Sequence, residues 1–526
     1  MVAAACSSSK KPAATGNTTA TTEAKPVAGG SVIFANEADE PGLLPTNDPW
    51  DPGGFSYGAL FYDTITALGA DGTYHPFLAQ TVDHSADYKM WTVKLRPNIK
   101  YTNGDPLTSQ NVIDVLKAYH DSFITGLAFA NIASETKVDD LTLQINMKEP
   151  WVPFDVYLSF VFVFHPSMAV NPTASHLHPI GTGPFTLKEW IPKDHLTAVK
   201  NPNYWQTGLP YLDSVEIRPI PDHTARAQSI QSGTVASAIM DDPETVKNIR
   251  SFPNLKEFSE ANSPSRIQLN FIILNLAAPP FNDQNARMAA ALATDEQRVI
   301  DTAYAGNSAA PNQVFNKSFP MNTGDSAGYP AFNLTAAKAA VQAYSAAHGG
   351  KPLTVELDTT TDSKGLQVMQ LVQSMWQAAG MQVTLKQFEQ STYIINALQG
   401  KFQAANFRQF GEPDPDVNYV SWSTASAMPL GAFSPNIDRY KDPQIDADLE
   451  KGRTSADPAV RKQAYQDIAR ELNKGLPYIY LAEYSFSTFY KPNIHGVVDW
   501  TLPDGAKGVN YTSDGIQRFA NWWVAP

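Results

Sequence analysis

The chain of 526 residues holds one cysteine, Cys6, so it can form no disulfide within itself. Charged residues are scarce at 17%, and they lean acidic, giving a net charge of −13 at pH 7. Too little basic surface is available for general binding to nucleic acid or to an anionic membrane. Long hydrophobic runs are missing too. The longest strongly apolar stretch, Val156 to Phe164 with Ser159 inside it, falls far short of the roughly 18 residues a membrane-crossing helix needs. It is expected to form a buried strand. No P-loop, H-E-x-x-H or C-x-x-C pattern occurs.

What is present is bulk. Hydrophobic residues make up 43% of a chain too long for one ordinary domain, which calls for two or three folding units with large cores. Strands and helices alternate along it, the mark of an α/β protein. Residues 31–35 read as a first strand, and residues 36–42 as a polar loop with a Pro41-Gly42 turn. Residues 58–68 show helical spacing of apolar side chains. Residues 91–96 and 141–147 alternate as strands, and the Asn103-Gly104 turn leads to a helix over 110–120 capped by Thr108 or Ser109. Further on, 267–276 reads as a strand and 286–305 as a helix. Another helix, over 366–379, ends at Gly380 and is followed by a strand over 381–385. Asp457 caps a late helix from Pro458 to about Leu472, before a strand at 479–481.

Residues 180–233 organise the rest. Ile180-Gly181-Thr182-Gly183-Pro184-Phe185 is a turn, since glycine tolerates positive φ and proline fixes φ. Asn201-Pro202-Asn203-Tyr204-Trp205 is a second turn. Pro210-Tyr211-Leu212-Asp213 leads into an alternating strand, and residues 224–231 form a short helix ended by Gly233 after Gln231-Ser232. Taken together, the G-T-G-P, N-P-x-Y-W, P-Y-L-D and Q-S-G segments resemble the family 5 extracellular solute-binding proteins, the peptide-binding subunits of ATP-binding-cassette importers. Residues 275–283, with Pro279-Pro280-Phe281, resemble that family's crossover into its second lobe.

The resemblance covers roughly residues 31–526 and implies a two-lobed type II periplasmic-binding-protein fold with an extra subdomain and a ligand cleft between the lobes. On that pattern residues 1–30 are an anchor and tether, and 31–52, 178–268 and 490–526 form the first lobe. Residues 53–177 form the extra subdomain and 269–489 the second lobe. Implied partners are a small-molecule or peptide ligand and the permease and ATPase subunits of an importer. The receptor is expected to be monomeric and extracytoplasmic, with no cofactor, metal or reaction of its own. Cys6, after Val2-Ala3-Ala4-Ala5 and before Ser7-Ser8-Ser9-Lys10, resembles a bacterial lipobox. Acylation there would anchor the protein to the membrane through a Ser/Thr/Ala/Pro-rich flexible tether.

The same resemblance places ligand contacts on the loop Asn36, Glu37, Ala38 and Asp39, and on Phe407, Arg408, Gln409, Phe410, Glu412 and Trp422. Peptide-binding relatives carry an aspartate for the ligand's α-ammonium three positions before the acidic residue that precedes proline; here that position is Gln409. An amide offers no full charge, so either Glu412 or Asp39 takes the role, or the ligand is amine-blocked: a modified peptide, a glycoside or a metal chelate. From another class, a secreted hydrolase would need paired carboxylates, and Asp241-Asp242 is such a pair. His176-Leu177-His178 offers too few ligands for a metal, and the acids Glu412, Asp414 and Asp416 lack the pattern of a calcium loop.

Overall fold

Two sheets carry the fold of this computed structural model, which describes residues 25–48, 50, 52–259, 267–409, 411–498, 500–509 and 516–526. Cys6 and Phe410 lie outside those residues. The first sheet has seven strands, in spatial order Lys256–Ser259, Ser487–Tyr490, Ser237–Met240, Ser31–Asn36, Ser214–Pro219, His195–Lys200 and Phe185–Ile191. The second has five: Gln382–Phe388, Thr354–Thr360, Ala404–Gln409, Gln268–Leu274 and Tyr478–Tyr484. A four-stranded sheet, Ala79–His84, Met90–Leu95, Thr142–Met147 and Ile132–Lys137, stands apart from both.

Parallel pairs sit where helices make the crossovers. Ser31–Asn36 runs parallel to both Ser214–Pro219 and Ser237–Met240, with helix His223–Ser232 between the latter two. In the second sheet, helix Ser363–Ala378 joins the parallel strands Thr354–Thr360 and Gln382–Phe388. The central strand Gln268–Leu274 is buried at every position, since the sheet is covered on both faces. Apolar packing divides the molecule in two. One core joins Val32 and Phe34 of the first sheet to Trp91, Val93 and Ile145 of the small sheet, so the latter is built onto the first lobe. The second sheet has a core of its own around Phe271, Trp376 and Tyr465. The chain rejoins the first sheet at Ser487, and its end packs there, with Phe519 and Trp522 edge-on to Phe34.

Helix starts follow the caps. Thr108 and Asn111 form a capping box, and Asp222, Asp362 and Asp457 each accept a backbone N–H of their helices' first turn. Several expectations are corrected. The apolar run Val156–Phe164 is not one strand: its first part belongs to helix Phe154–Leu158, and periodicity cannot separate the two in so short a run. The helix expected over 58–68 is Pro52–Phe61, and Thr66–Leu68 is a strand. The helix expected over 286–305 is two, Gln284–Ala293 and Glu296–Ala303, because Asp295 caps the second. Past helix Pro458–Gly475, it is Leu476 that takes the left-handed conformation.

Candidate functional site

The glycine- and proline-rich turns around residue 180 build a joint. Neither Gly181 nor Gly183 has positive φ. They are needed for room: a Cβ on Gly181 would lie 2.1 Å from the Phe61 carbonyl oxygen, and one on Gly183 2.3 Å from the Phe61 carbonyl carbon. Asn201 Nδ2 donates to the Gly183 carbonyl at 2.9 Å, tying the two turns together. Buried Asp63 gathers the rest, accepting from Tyr204 Oη at 3.0 Å, Trp205 Nε1 at 2.8 Å and Thr182 Oγ1 at 3.1 Å. Burial raises its carboxyl to about 6, although these donors and Arg518 pull the other way.

Charge from the two lobes meets elsewhere. Arg408, in strand Ala404–Gln409 of the second lobe, points at the first. Its Nη1 donates to Asp241 Oδ2, and its Nη2 lies 3.2 Å from Glu37 Oε2. Glu37 directly follows strand Ser31–Asn36, and Asp241 directly follows Ser237–Met240, so both stand where parallel strands end and α/β proteins place their ligands. Asp241 Oδ1 is held from its own lobe by Arg226 Nη2 at 3.0 Å and His223 Nδ1 at 3.1 Å. Burial would raise Asp241, but His223, Arg408 and Arg226 outweigh it and hold the carboxyl well below its usual range. The same exchange lifts His223 against the cost of its own burial. The Arg408 guanidinium stacks 4.8 Å over Phe486, on the segment that links the second lobe back to the first. Burial opposes the charge of Arg408, but Glu37 and Asp241 reverse that and hold it firmly cationic.

A second cross-lobe pair runs beside the first. Lys364, in the first turn of helix Ser363–Ala378, lies 2.9 Å from Glu244 Oε2 and 3.6 Å from Asp242 Oδ1. Asp242 also caps helix Pro243–Ile249. Both members of the Asp241-Asp242 pair are therefore engaged with cations and a helix end, not set out as an acid and a base.

The other sequence candidates fall in varied places. Asn36 is buried and donates to the Gly53 carbonyl at 3.1 Å, fixing the loop to the next helix. The Ala38 carbonyl accepts from Tyr57 Oη at 3.4 Å, and Asp39 accepts from the Lys193 amide at 2.6 Å, on an exposed hairpin. Phe407 is half-buried and stacked on Tyr393 at 5.5 Å. Gln409 donates to Ser421 Oγ at 3.0 Å. Burial raises the Glu412 carboxyl, and its partner is Asn418 at 3.0 Å. Trp422 lies in the second lobe's core against Phe315. Of the described candidates, Asn36 Nδ2 donates to the Ala38 carbonyl within its own loop, and Glu37 and Arg408 meet from opposite lobes. Asp241 was legible as a carboxylate but not as their partner, because 167 residues separate it from Arg408. His176 pairs with Asp48 at 3.1 Å, and among the described residues no group of three or more metal-ligating side chains forms. Sequence reading also passes over Gly324-Asp325-Ser326-Ala327-Gly328, which spells a G-x-S-x-G nucleophile elbow. It lies on an exposed loop that lacks the strand and helix such an elbow needs.

A protein-family model for bacterial extracellular solute-binding proteins, family 5, matches residues 73–428. The chain belongs to that family. Its fold is the two-lobed type II arrangement, and its members are solute receptors of ATP-binding-cassette importers that act outside the cytoplasm. Glutathione-binding protein GsiB of Salmonella paratyphi A is 26% identical over 494 residues, covering 87% of this chain and 90% of its own. In structure the chain is similar to the Bacillus subtilis oligopeptide-binding protein AppA, solved with a nonapeptide, at a TM-score of 0.83 and 19% identity; the match covers 95% of this chain and all of AppA. It is similar as well to AgaA of A. tumefaciens R10, solved with agropinic acid, at a TM-score of 0.81 and 21% identity, covering 94% and 99% of the two chains. Proteins with this architecture have thus been solved with a peptide and with a non-peptide, so the ligand must be argued from the residues of the cleft.

Proposed function

We propose that this protein is a lipid-anchored, monomeric receptor that captures a small peptide between its lobes and delivers it to a membrane permease with its partner ATPase. The observation that carries this reading is the meeting of Arg408 with Glu37 and Asp241 across the cleft, at the ends of parallel strands. Buried charge of both signs suits a ligand that itself carries both, as a short free peptide does. GsiB, named for binding glutathione, and AppA, solved with a nonapeptide, support the same class. A ligand bound between lobes favours the closed state by contacts made with both. We assign the protein no reaction, since Asp241 and Asp242 are committed to cations and a cap.

Native mass spectrometry of protein purified gently from its producing cells tests the ligand class. Peptides of a narrow length range are the expected cargo. A sugar, an opine or a metal chelate would keep the receptor and replace its substrate class. The anchor has a separate test: Cys6→Ser in the full-length precursor should move the protein from the membrane to the soluble fraction, and continued membrane association would remove the lipid from this account.

A further inference from the structure

Residues 151–157 of the extra subdomain pack into the first lobe's core, yet their polar groups turn to the second lobe. Trp151 Nε1 donates to Asp416 Oδ2 at 3.0 Å. Tyr157 Oη donates to the Asp416 carbonyl at 2.6 Å and accepts from Arg453 Nη2 at 3.0 Å. The Val152 amide donates to the Arg453 carbonyl at 3.0 Å. A second touch comes from the same subdomain. Phe123, 66% exposed, stands edge-on to Phe433 with ring centroids 5.3 Å apart. Phe433 lies on a loop that the amides of Gly431 and Ser434 tie to the end of helix Gln390–Leu398 in the second lobe.

The charges at this contact are paired within one lobe. Asp416 and Arg453 both belong to the second lobe and hold each other, with Arg453 Nε 3.1 Å from Oδ1 and Nη2 3.0 Å from Oδ2. The first lobe adds an indole N–H, a phenol, a backbone amide and apolar rings, all neutral. Lifting these away leaves the carboxylate and guanidinium paired and hands the neutral donors to water. The contact is thus made and broken without stranding a buried charge. Its place differs from that of the ionic cluster. Arg408 stacks over Phe486, beside the crossover between the lobes. The partners of Asp416 and Arg453 lie in residues 151–157, 414–419, 453 and 465, and none among the described residues comes from the crossover at 484–487. Contacts away from a hinge separate most when lobes swing apart.

We propose that the extra subdomain carries a closure latch: Trp151, Tyr157 and Phe123 dock on Asp416, Arg453 and Phe433 and hold a fraction of the empty receptor closed. Ligand then adds its own contacts to a closed form that is already populated. Because the first lobe's side of the latch is uncharged, salt leaves it intact while weakening the Arg408 and Lys364 pairs. The latch concerns the lobes and not the cargo, so it stands whichever ligand class the receptor takes.

Two spin labels read the lobes directly. Val138→Cys on the subdomain and Ile395→Cys on the second lobe replace side chains that are 55% and 51% exposed, and Cys6→Ser leaves no other thiol. Pulsed electron spin resonance on the empty, labelled chain should show a closed and an open distance. Trp151→Phe together with Tyr157→Phe keeps the rings and removes both side-chain donors. It should move the closed-to-open ratio about tenfold toward open, the scale of one or two neutral hydrogen bonds. Phe123→Ser should move it in the same direction. Both shifts should persist at high salt, where that of Lys364→Met fades. An empty wild type with an open distance alone would overturn the latch. So would ratios that these variants leave unchanged, or shifts that vanish in salt. Phe123→Ser alters an exposed ring, so it decides the matter even if the paired phenylalanines unsettle the fold.

Discussion

Asp63 shows how one side chain ties down two motifs up to 142 residues away from it. Thr182, Tyr204 and Trp205 all donate to it, so the G-T-G-P and N-P-x-Y-W turns meet at one buried carboxyl. The buried carboxyl also makes a prediction about pH. Its folded value of about 6 lies above the ordinary 3.8, so the native state holds this proton more tightly than the unfolded chain does. Stability from this group is therefore greatest below about pH 4, falls as pH rises toward 6, and is level above that. Asp63→Asn should remove this slope from a series of thermal melts between pH 4 and 7. It should also lower the first lobe's transition, since an amide oxygen that keeps Trp205 and Thr182 turns its NH2 toward the Tyr204 hydroxyl, which loses its acceptor; one buried donor without a partner costs about 1–3 kcal/mol. A variant whose melting temperature follows the wild-type slope would place the titration on another group.

Between elements, the decisive contact joins the extra subdomain to the second lobe. Arg453, near the end of helix Pro443–Thr454, lies 3.0 Å from Asp416 Oδ2 and 3.6 Å above the ring of Tyr419. Trp151 Nε1 donates to the same Asp416 oxygen at 3.0 Å, and Tyr157 Oη donates to the Asp416 carbonyl at 2.6 Å. The acids that read as a possible ion loop are thus dispersed: Glu412 to Asn418, Asp414 to Arg461, Asp416 to Arg453. Asp416→Asn should be costly, by about 3–5 kcal/mol, because it leaves the Arg453 charge buried without its partner. Replacing both, as Asp416→Leu with Arg453→Met, should cost less than the single change. Hydrogen exchange over residues 151–158 and denaturant melts measure the difference; a double variant weaker than the single one would mean that the pair itself, not its charge balance, holds this face. Such contacts explain what the sequence could and could not disclose. Caps at Thr108 and Asp457 are local, so those two helix starts were legible, while the caps Asp222 and Asp362 were passed over. Helix Phe154–Leu158 and the break at Asp295 were not, because tertiary packing selects between readings that short apolar runs leave open.

Over the whole molecule, the two lobes have separate cores, and Phe486, on the chain between Tyr484 and Ser487, lies under the Arg408 guanidinium. The family and the two-lobed fold could be read from ordered motifs, yet the cleft's composition could not. Arg408 and Asp241 are joined only by folding, and no local pattern announces that a carboxylate at one strand's end will meet a guanidinium from the other lobe. The cross-lobe pairs also govern how readily the lobes approach. Lys364 binds Glu244, Asp242 and the Ala303 carbonyl, at 2.7 Å for the last, so it braces the lobes without standing among the Arg408 partners. Lys364→Met keeps the length of the stem and removes the charge. It should shift the balance toward open forms, seen as a larger radius of gyration in small-angle scattering, and weaken capture of any ligand by the same factor as it depletes the closed form. The shift should shrink at high salt, where the wild-type pair is itself screened. An unchanged radius with unchanged affinity would confine the ionic control of closure to Arg408 and its two carboxylates.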